Sequence, residues 1–151
     1  MSFNLMKHQI DALIRKIVTQ SVRSRRKWLR ETFEMCLRIK AHRGTHDYGF
    51  EWAIQTLIGE YLLRDSSNLS ISDIRLNQPH PTEPGRKPDI LFRHEGREVV
   101  LELKTVLDCD LSYSKRDVRK NFPQSSIVYF LVISYPSKRK TDRELEGAWL
   151  V

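Results

Sequence analysis

The chain has little cysteine and no long apolar run. Two of its 151 residues are cysteines, Cys36 and Cys109, and they lie in unrelated segments without a CxxC spacing. The sequence therefore indicates neither a disulfide framework nor a cysteine-rich zinc site, and we expect both thiols to be reduced. The longest apolar run, residues 127–133, is far shorter than the roughly 20 residues of a membrane helix, so we expect no membrane partner.

The first residues show no basic segment followed by a long apolar stretch and a small-residue cleavage site. With no secretory signal visible, we expect an intracellular location. A length of 151 residues favours a single domain with one core. We divide it into a basic helical extension over 1–45, a core over 46–136 and a C-terminal segment over 137–151.

Charge is unevenly distributed along the chain. Its 26 basic and 19 acidic residues give a net charge of +7. Residues 1–64 carry 12 basic and 6 acidic residues, 65–112 carry 6 and 9, and 113–151 carry 8 and 4. A basic net charge is common in proteins that bind a polyanion, and here the basic residues lie mainly on either side of an acidic middle. Nucleic acid is the partner we expect.

Hydrophobic periodicity predicts helices first and strands later. Apolar residues recur at helical spacing over about 4–21, 25–41 and 47–64. Further on, the pattern predicts a strand near 69–74, a proline-rich loop, two strands at 90–92 and 99–103, a basic helix over 113–122 and a buried strand over 127–134. This order favours an α/β fold with a mixed sheet. The end, 147–151, is apolar enough for a further strand.

A tight turn between the two central strands sets their register. With the turn centred at Glu95-Gly96, facing residues have numbers that sum to 191, so Asp89 faces Glu102. Facing residues project to the same side of a sheet, and Lys104 joins that side by the period of two. The alternate residues project to the other side of the sheet and form an apolar face: Ile90, Phe92, Leu101 and Leu103. The hairpin therefore brings two carboxylates and one amine together.

Two facing carboxylates lie roughly 5 Å apart at Cβ and repel each other unless a cation sits between them. Magnesium and manganese prefer oxygen ligands and keep bound waters, one of which can become a nucleophile. An ammonium beside such an ion can orient that water and offset charge on a phosphate. The hairpin thus predicts a site for Mg²⁺ or Mn²⁺, with Lys104 as a catalytic group.

The arrangement Lys87-Pro88-Asp89, twelve intervening residues and Glu102-Leu103-Lys104 resembles the PD-(D/E)xK nuclease superfamily. The likeness extends over about 47–134, where a helix, a strand, the hairpin, a helix and a strand follow in the superfamily's order. The resemblance implies a restriction-endonuclease-like core of about four strands flanked by helices. It also implies that Asp89 and Glu102 are metal ligands, that the backbone carbonyl of Leu103 is a further candidate ligand and that Lys104 is the catalytic lysine.

Many members of the superfamily place a further glutamate on the helix before the sheet. Here the candidates are Glu51, near the start of the third helix, and Glu60, near its end. We favour Glu51 as a catalytic and metal-binding residue. The choice stays open at the level of sequence.

Two basic clusters are candidates for contact with nucleic-acid phosphates. The denser one, before the second helix, contains Arg23, Arg25, Arg26 and Lys27. The other, on the predicted basic helix, contains Lys115, Arg116, Arg119 and Lys120. Such contacts position a nucleic acid without reading its sequence.

The function we expect is a Mg²⁺- or Mn²⁺-dependent endonuclease, with DNA as the preferred substrate. Restriction, junction-resolving, repair and mobile-element nucleases are the types considered, and cutting two strands with one site per subunit favours a homodimer. One alternative is an RNA endonuclease like viral cap-snatching domains, some of which carry the lysine on the following helix, where Lys115 is the candidate. Another is a catalytically silent nucleic-acid-binding module of the same fold.

Overall fold

The structure is a computed structural model that describes residues 3–38, 51–107, 119–135 and 145–150. Helices come first and strands follow. In chain order the elements are α1 (Phe3–Ser21), a 3-10 helix (Arg23–Arg25), α2 (Arg26–Arg38), α3 (Glu51–Asp65), β1 (Ile71–Leu76), β2 (Ile90–His94), β3 (Arg97–Leu107), β4 (Ile127–Tyr135) and β5 (Leu145–Leu150).

The five strands form one mixed sheet in the order β1-β2-β3-β4-β5. β1, β2 and β3 pair antiparallel, β3 and β4 pair parallel, and β5 returns antiparallel to β4. The parallel pair requires a crossover between β3 and β4. The predicted helix over 113–122 falls mainly on residues 108–118 of this connection, which lie outside the described residues.

The turn between β2 and β3 has the backbone that a two-residue hairpin needs. Glu95 and Gly96 both have positive φ, at 50° and 78°. Two successive positive φ values match the right-handed twist of the flanking strands, and glycine adopts such a conformation without strain. The pairing that results, with Leu91 opposite Val100 and Ile90 opposite Leu101, confirms the predicted register.

Apolar residues of alternate strand positions pack on opposite faces of the sheet. On one face, strand residues such as Leu101 and Leu131 share a core with buried residues of all three α-helices. On the other face, a smaller cluster gathers around Phe122, which precedes β4 and packs with Val100 and Val128. The helices before residue 46 thus pack into the same core as the sheet.

Helix α3 lies very close to strand β1. A Cβ added at Gly59 would stand 2.5 Å from Cδ1 of Leu76, so only glycine fits this approach without a shift of the leucine. The approach places the first turn of α3 beside the hairpin. It therefore sets the position of the residues that begin the helix, starting with Glu51.

The predicted helices and strands that fall on described residues agree with the structure except at their ends, while the predicted helix over 113–122 stays a prediction. The prediction of an α/β fold with a mixed sheet is confirmed, and the sheet has five strands where about four were predicted, because the C-terminal apolar stretch contributes β5. The predicted strand near 69–74 lies at Ile71–Leu76, where a bulge at Asp73 shifts its pairing with β2. Within the described part of the chain, no helix combines the length and the apolar character needed to cross a membrane.

Candidate functional site

The predicted hairpin residues meet where β3 runs on beyond the start of β2. Asp89 directly precedes β2, and the register carries it opposite Glu102. The backbone N–H of Asp89 donates to Glu102 Oε1 at 3.3 Å, and the backbone N–H of Leu103 donates to Asp89 Oδ2 at 2.7 Å. The two acidic residues are therefore tied to each other's strand by reciprocal hydrogen bonds.

The same geometry directs the carbonyl of Leu103 toward the site. In a strand, the N–H and C=O of one residue point to the same side, and the N–H of Leu103 points to Asp89. Strand β2 has not yet begun at this level, so the Asp89 carboxylate takes the place of a neighbouring strand. A backbone oxygen is thus presented beside the facing carboxylates.

Helix α3 adds two further side chains. Oε1 of Glu51 lies 3.6 Å from Nζ of Lys104, and both side chains are largely shielded, with 21% and 14% of their surface exposed. Gln55, one turn further along the same side of the helix, donates its amide to the backbone carbonyl of Asp89. Glu60 is exposed near the other end of α3. Of the two candidate glutamates, the structure brings Glu51 to the hairpin.

Burial and neighbouring negative charges perturb the carboxyl group of Glu102. Burial raises its pKa from 4.5 to about 8, and the negative charges of Asp89 and Glu51 add to the rise. The hydrogen bond from the Asp89 N–H opposes the shift without cancelling it. Near neutral pH, Glu102 is therefore largely protonated unless a cation replaces its proton.

The donor set suits a hard divalent cation. Asp89 and Glu102 provide carboxylate oxygens, strand geometry turns the Leu103 carbonyl to the side of Asp89, and Glu51 pairs with Lys104. Among the described residues, no three His, Cys, Asp or Glu side chains converge closely enough to hold a metal ion as they stand. Two carboxylates, one carbonyl and waters are nevertheless a coordination that magnesium accepts, because it keeps much of its hydration shell.

The basic residues predicted to contact phosphate have different positions. Arg23, Arg25, Arg26 and Lys27 are exposed at the corner between α1 and α2, where Lys27 pairs with Glu31 at 4.0 Å. Lys115 and Arg116 lie outside the described residues. Lys120 is exposed.

Arg119 is half-buried and holds a turn of the backbone. Its guanidinium donates to the carbonyls of Phe122 and Pro123 at 3.3 and 2.9 Å. The same residue lines a cleft of about 430 Å³ between α1 and the start of β4, together with Lys7 and Arg97. Arg119 therefore has a structural role in addition to any contact with phosphate.

A second polar cluster lies further down the same face of β3, and sequence reasoning missed it. His80 is buried with 1% of its side chain exposed, and its Nε2 lies 2.7 Å from Glu98 Oε1. Ser126 donates its hydroxyl to the same carboxylate oxygen. The alternation that places Glu102 on this face also places Glu98 there, which is the one signal that the sequence offered.

The cluster anchors the loop that leads into Asp89. The backbone N–H of His80 donates to the carbonyl of Arg86 at 2.8 Å, and that of Asn77 donates to the carbonyl of Asp89 at 3.0 Å. These bonds close the loop on itself, and the His80 imidazole fixes it to β3. The loop therefore holds Pro88 and Asp89 in a fixed position at the start of β2.

Known proteins supply no independent guide to this site. The chain matches no family model, and neither a curated protein nor a solved structure matches it.

Proposed function

We propose that the chain is a metal-dependent endonuclease that hydrolyses phosphodiester bonds in nucleic acid, with DNA as its preferred substrate. The observation that carries this proposal is the crossed pair of Asp89 and Glu102, with the Glu51–Lys104 ion pair beside it. A shielded group of three carboxylates and one amine costs stability, and its raised Glu102 pKa is typical of a functional site.

Asp89, Glu102 and the Leu103 carbonyl would hold Mg²⁺ or Mn²⁺, with Glu51 assisting. When bound, the ion supplies Lewis-acid activation of a phosphate and of water. Lys104 orients the attacking water and balances the charge that develops on the phosphate, and the ion pair with Glu51 holds the ammonium group in place. Gln55 and the His80 cluster hold Asp89 in register.

The fold supports the same proposal. An antiparallel hairpin followed by a parallel strand, with a glutamate-bearing helix beside it, is the arrangement that the resemblance to PD-(D/E)xK nucleases implies. The exposed arginine-rich corner at residues 23–27 offers charge for the nucleic-acid backbone. Cutting both strands of a duplex would call for a homodimer.

The test is a cleavage assay with plasmid DNA, branched DNA and single-stranded RNA, each with Mg²⁺, Mn²⁺ or EDTA. The wild-type chain is compared with Lys104→Ala and Glu51→Gln. Lys16→Ala and Glu60→Gln are matched controls, because both remove exposed charges away from the hairpin. We expect metal-dependent cleavage that falls about 100-fold or more in Lys104→Ala and stays unchanged in the controls.

Each alternative has its own outcome in this assay. Cleavage of RNA alone identifies an RNA endonuclease of the cap-snatching type. Binding of all three substrates without cleavage identifies a silent binding module. Cleavage by Lys104→Ala at the wild-type rate contradicts the proposed site.

A further inference from the structure

Trp52 is a large aromatic side chain exposed beside the candidate site. It follows Glu51 in the first turn of α3, and 56% of its surface is accessible. An exposed indole is uncommon, because tryptophan is highly buried on average in folded proteins.

Helix geometry places Trp52 next to the residues that touch the hairpin. Successive helical residues are about 100° apart, so Trp52 stands about 60° from Gln55 around the helix axis. Residues three apart have Cβ atoms about 5–6 Å from each other. Gln55 donates to the carbonyl of Asp89, so Trp52 lies within one helical turn of a residue that contacts the hairpin.

An exposed ring in that position offers a flat apolar surface to a nucleobase. Stacking on an aromatic side chain requires a free base face, which single strands and locally unpaired segments provide and which the inside of a duplex does not. The neighbouring Lys104 would meet the phosphate while the ring meets the base. Charge and stacking would thus act on one nucleotide.

We propose that Trp52 is a stacking platform for an unpaired base next to the scissile phosphate, and that the substrates are single-stranded or locally unpaired nucleic acids. This inference rests on the proposed function and narrows its substrate class. An unpaired base is common to single-stranded DNA and RNA, so the experiment includes both.

The experiment measures the affinity of the full chain for fluorescein-labelled 12-nucleotide oligo(dT), for oligo(U) and for a blunt 12-base-pair duplex. Fluorescence anisotropy is recorded in Ca²⁺, chosen to limit cleavage. The variants are Trp52→Ala, Trp52→Phe and Leu63→Ala. Leu63 is a matched control, because it is 64% exposed on the same helix, about 16 Å further along its axis. Thermal unfolding shows that each variant is folded.

We expect Trp52→Ala to weaken binding of one or both single strands about ten-fold, while Trp52→Phe restores most of the affinity. Leu63→Ala should bind like the wild type, and duplex affinity should change little in any variant. A larger loss for oligo(dT) than for oligo(U) assigns the platform to DNA, and the reverse assigns it to RNA.

The inference is overturned if Trp52→Ala binds the single strands as well as Leu63→Ala does. It is also overturned if single-strand and duplex affinity fall equally, or if the variant changes only the oligomeric state, which would make the indole a subunit contact. A wild-type chain that binds and cleaves nucleic acid without dependence on Trp52 leaves the proposed function intact. A wild-type chain that binds none of the three probes overturns the inference, while the cleavage assay with plasmid and branched DNA decides the proposed function separately.

Discussion

Two glutamates on one face of β3 have opposite surroundings. Glu98 accepts hydrogen bonds from the side chains of His80 and Ser126, so its charge is met by nearby donors. Glu102 has one backbone donor and two acidic neighbours, and burial with those charges raises its pKa to about 8. Hydrogen-bond donors around a carboxylate favour its charged form. Neighbouring negative charges disfavour that form, so such a group takes up a proton or a cation.

The largest expected difference between the two positions is in activity. Glu102→Gln removes one proposed metal ligand while preserving shape, so we expect the cleavage rate to fall about 100-fold or more. Glu98→Gln keeps an oxygen acceptor for Ser126, and we expect cleavage within about three-fold of the wild type at a temperature where it remains folded. Initial rates with Mg²⁺ measure both. Equal losses in the two variants would remove the distinction between a structural and a functional carboxylate.

The second difference is in the free energy of unfolding, to which the cluster of His80, Glu98 and Ser126 should contribute more than the Glu102 site does. His80→Ala leaves the partly buried Glu98 without one of its donors and opens a gap beside Phe122, so we expect the free energy of unfolding to fall by about 2 kcal/mol. Urea denaturation measures this change. His8→Ala, at an exposed position on α1, is the control and should leave stability unchanged. A His80→Ala protein as stable as that control would show that the cluster does not hold the loop.

The pH dependence of stability should depend on Glu102. Its folded pKa of about 8 lies above the ordinary 4.5, so the folded state binds more protons between these values and loses stability as pH rises through them. In metal-free buffer, we expect Glu102→Gln to flatten this loss and to be more stable than the wild type at pH 8 by roughly 2 kcal/mol. Denaturation at pH 5 and pH 8 measures it. If the free energy of unfolding changed equally with pH in the two proteins, the pKa of Glu102 would not be raised in the folded state.

A smaller effect should follow from moving α3. Gly59→Ala forces Leu76 to shift, but alanine also favours a helix interior by about 1 kcal/mol, so we expect stability to change by less than about 1 kcal/mol and cleavage to fall a few-fold as Glu51 and Gln55 move from the hairpin. Adding Leu76→Ala should relieve the contact, so the two substitutions should be non-additive in a double-mutant cycle. Strict additivity would show that the close approach does not position the helix.

The hairpin could be predicted from sequence because its contacts join residues that are close together in the chain. A side-chain period of two and a two-residue turn were enough to place Asp89 opposite Glu102 and Lys104 on the same face. The apolar stripes of the three helices were equally readable. These features depend on residues close together in the chain.

Contacts between distant segments could not be read in the same way. Gln55 reaches Asp89, 34 positions away, only because α3 packs closely against β1, and no periodicity encodes that approach. His80 sits between two prolines in a segment without a repeating pattern, so its burial against Glu98 was not visible. Arg119 was predicted as a phosphate contact from its charge, whereas its hydrogen bonds to the carbonyls of Phe122 and Pro123 depend on the local turn.

The most direct test of the central claim is a calorimetric titration of the metal-free chain with Mn²⁺. We predict one principal binding site per chain, weakened at least ten-fold in Asp89→Asn and in Glu102→Gln and unchanged in Glu60→Gln. Glu98→Gln should also bind normally, because its carboxylate belongs to the other cluster. No binding by the wild type, or equal binding by the wild type and Asp89→Asn, would contradict a metal centre on this hairpin.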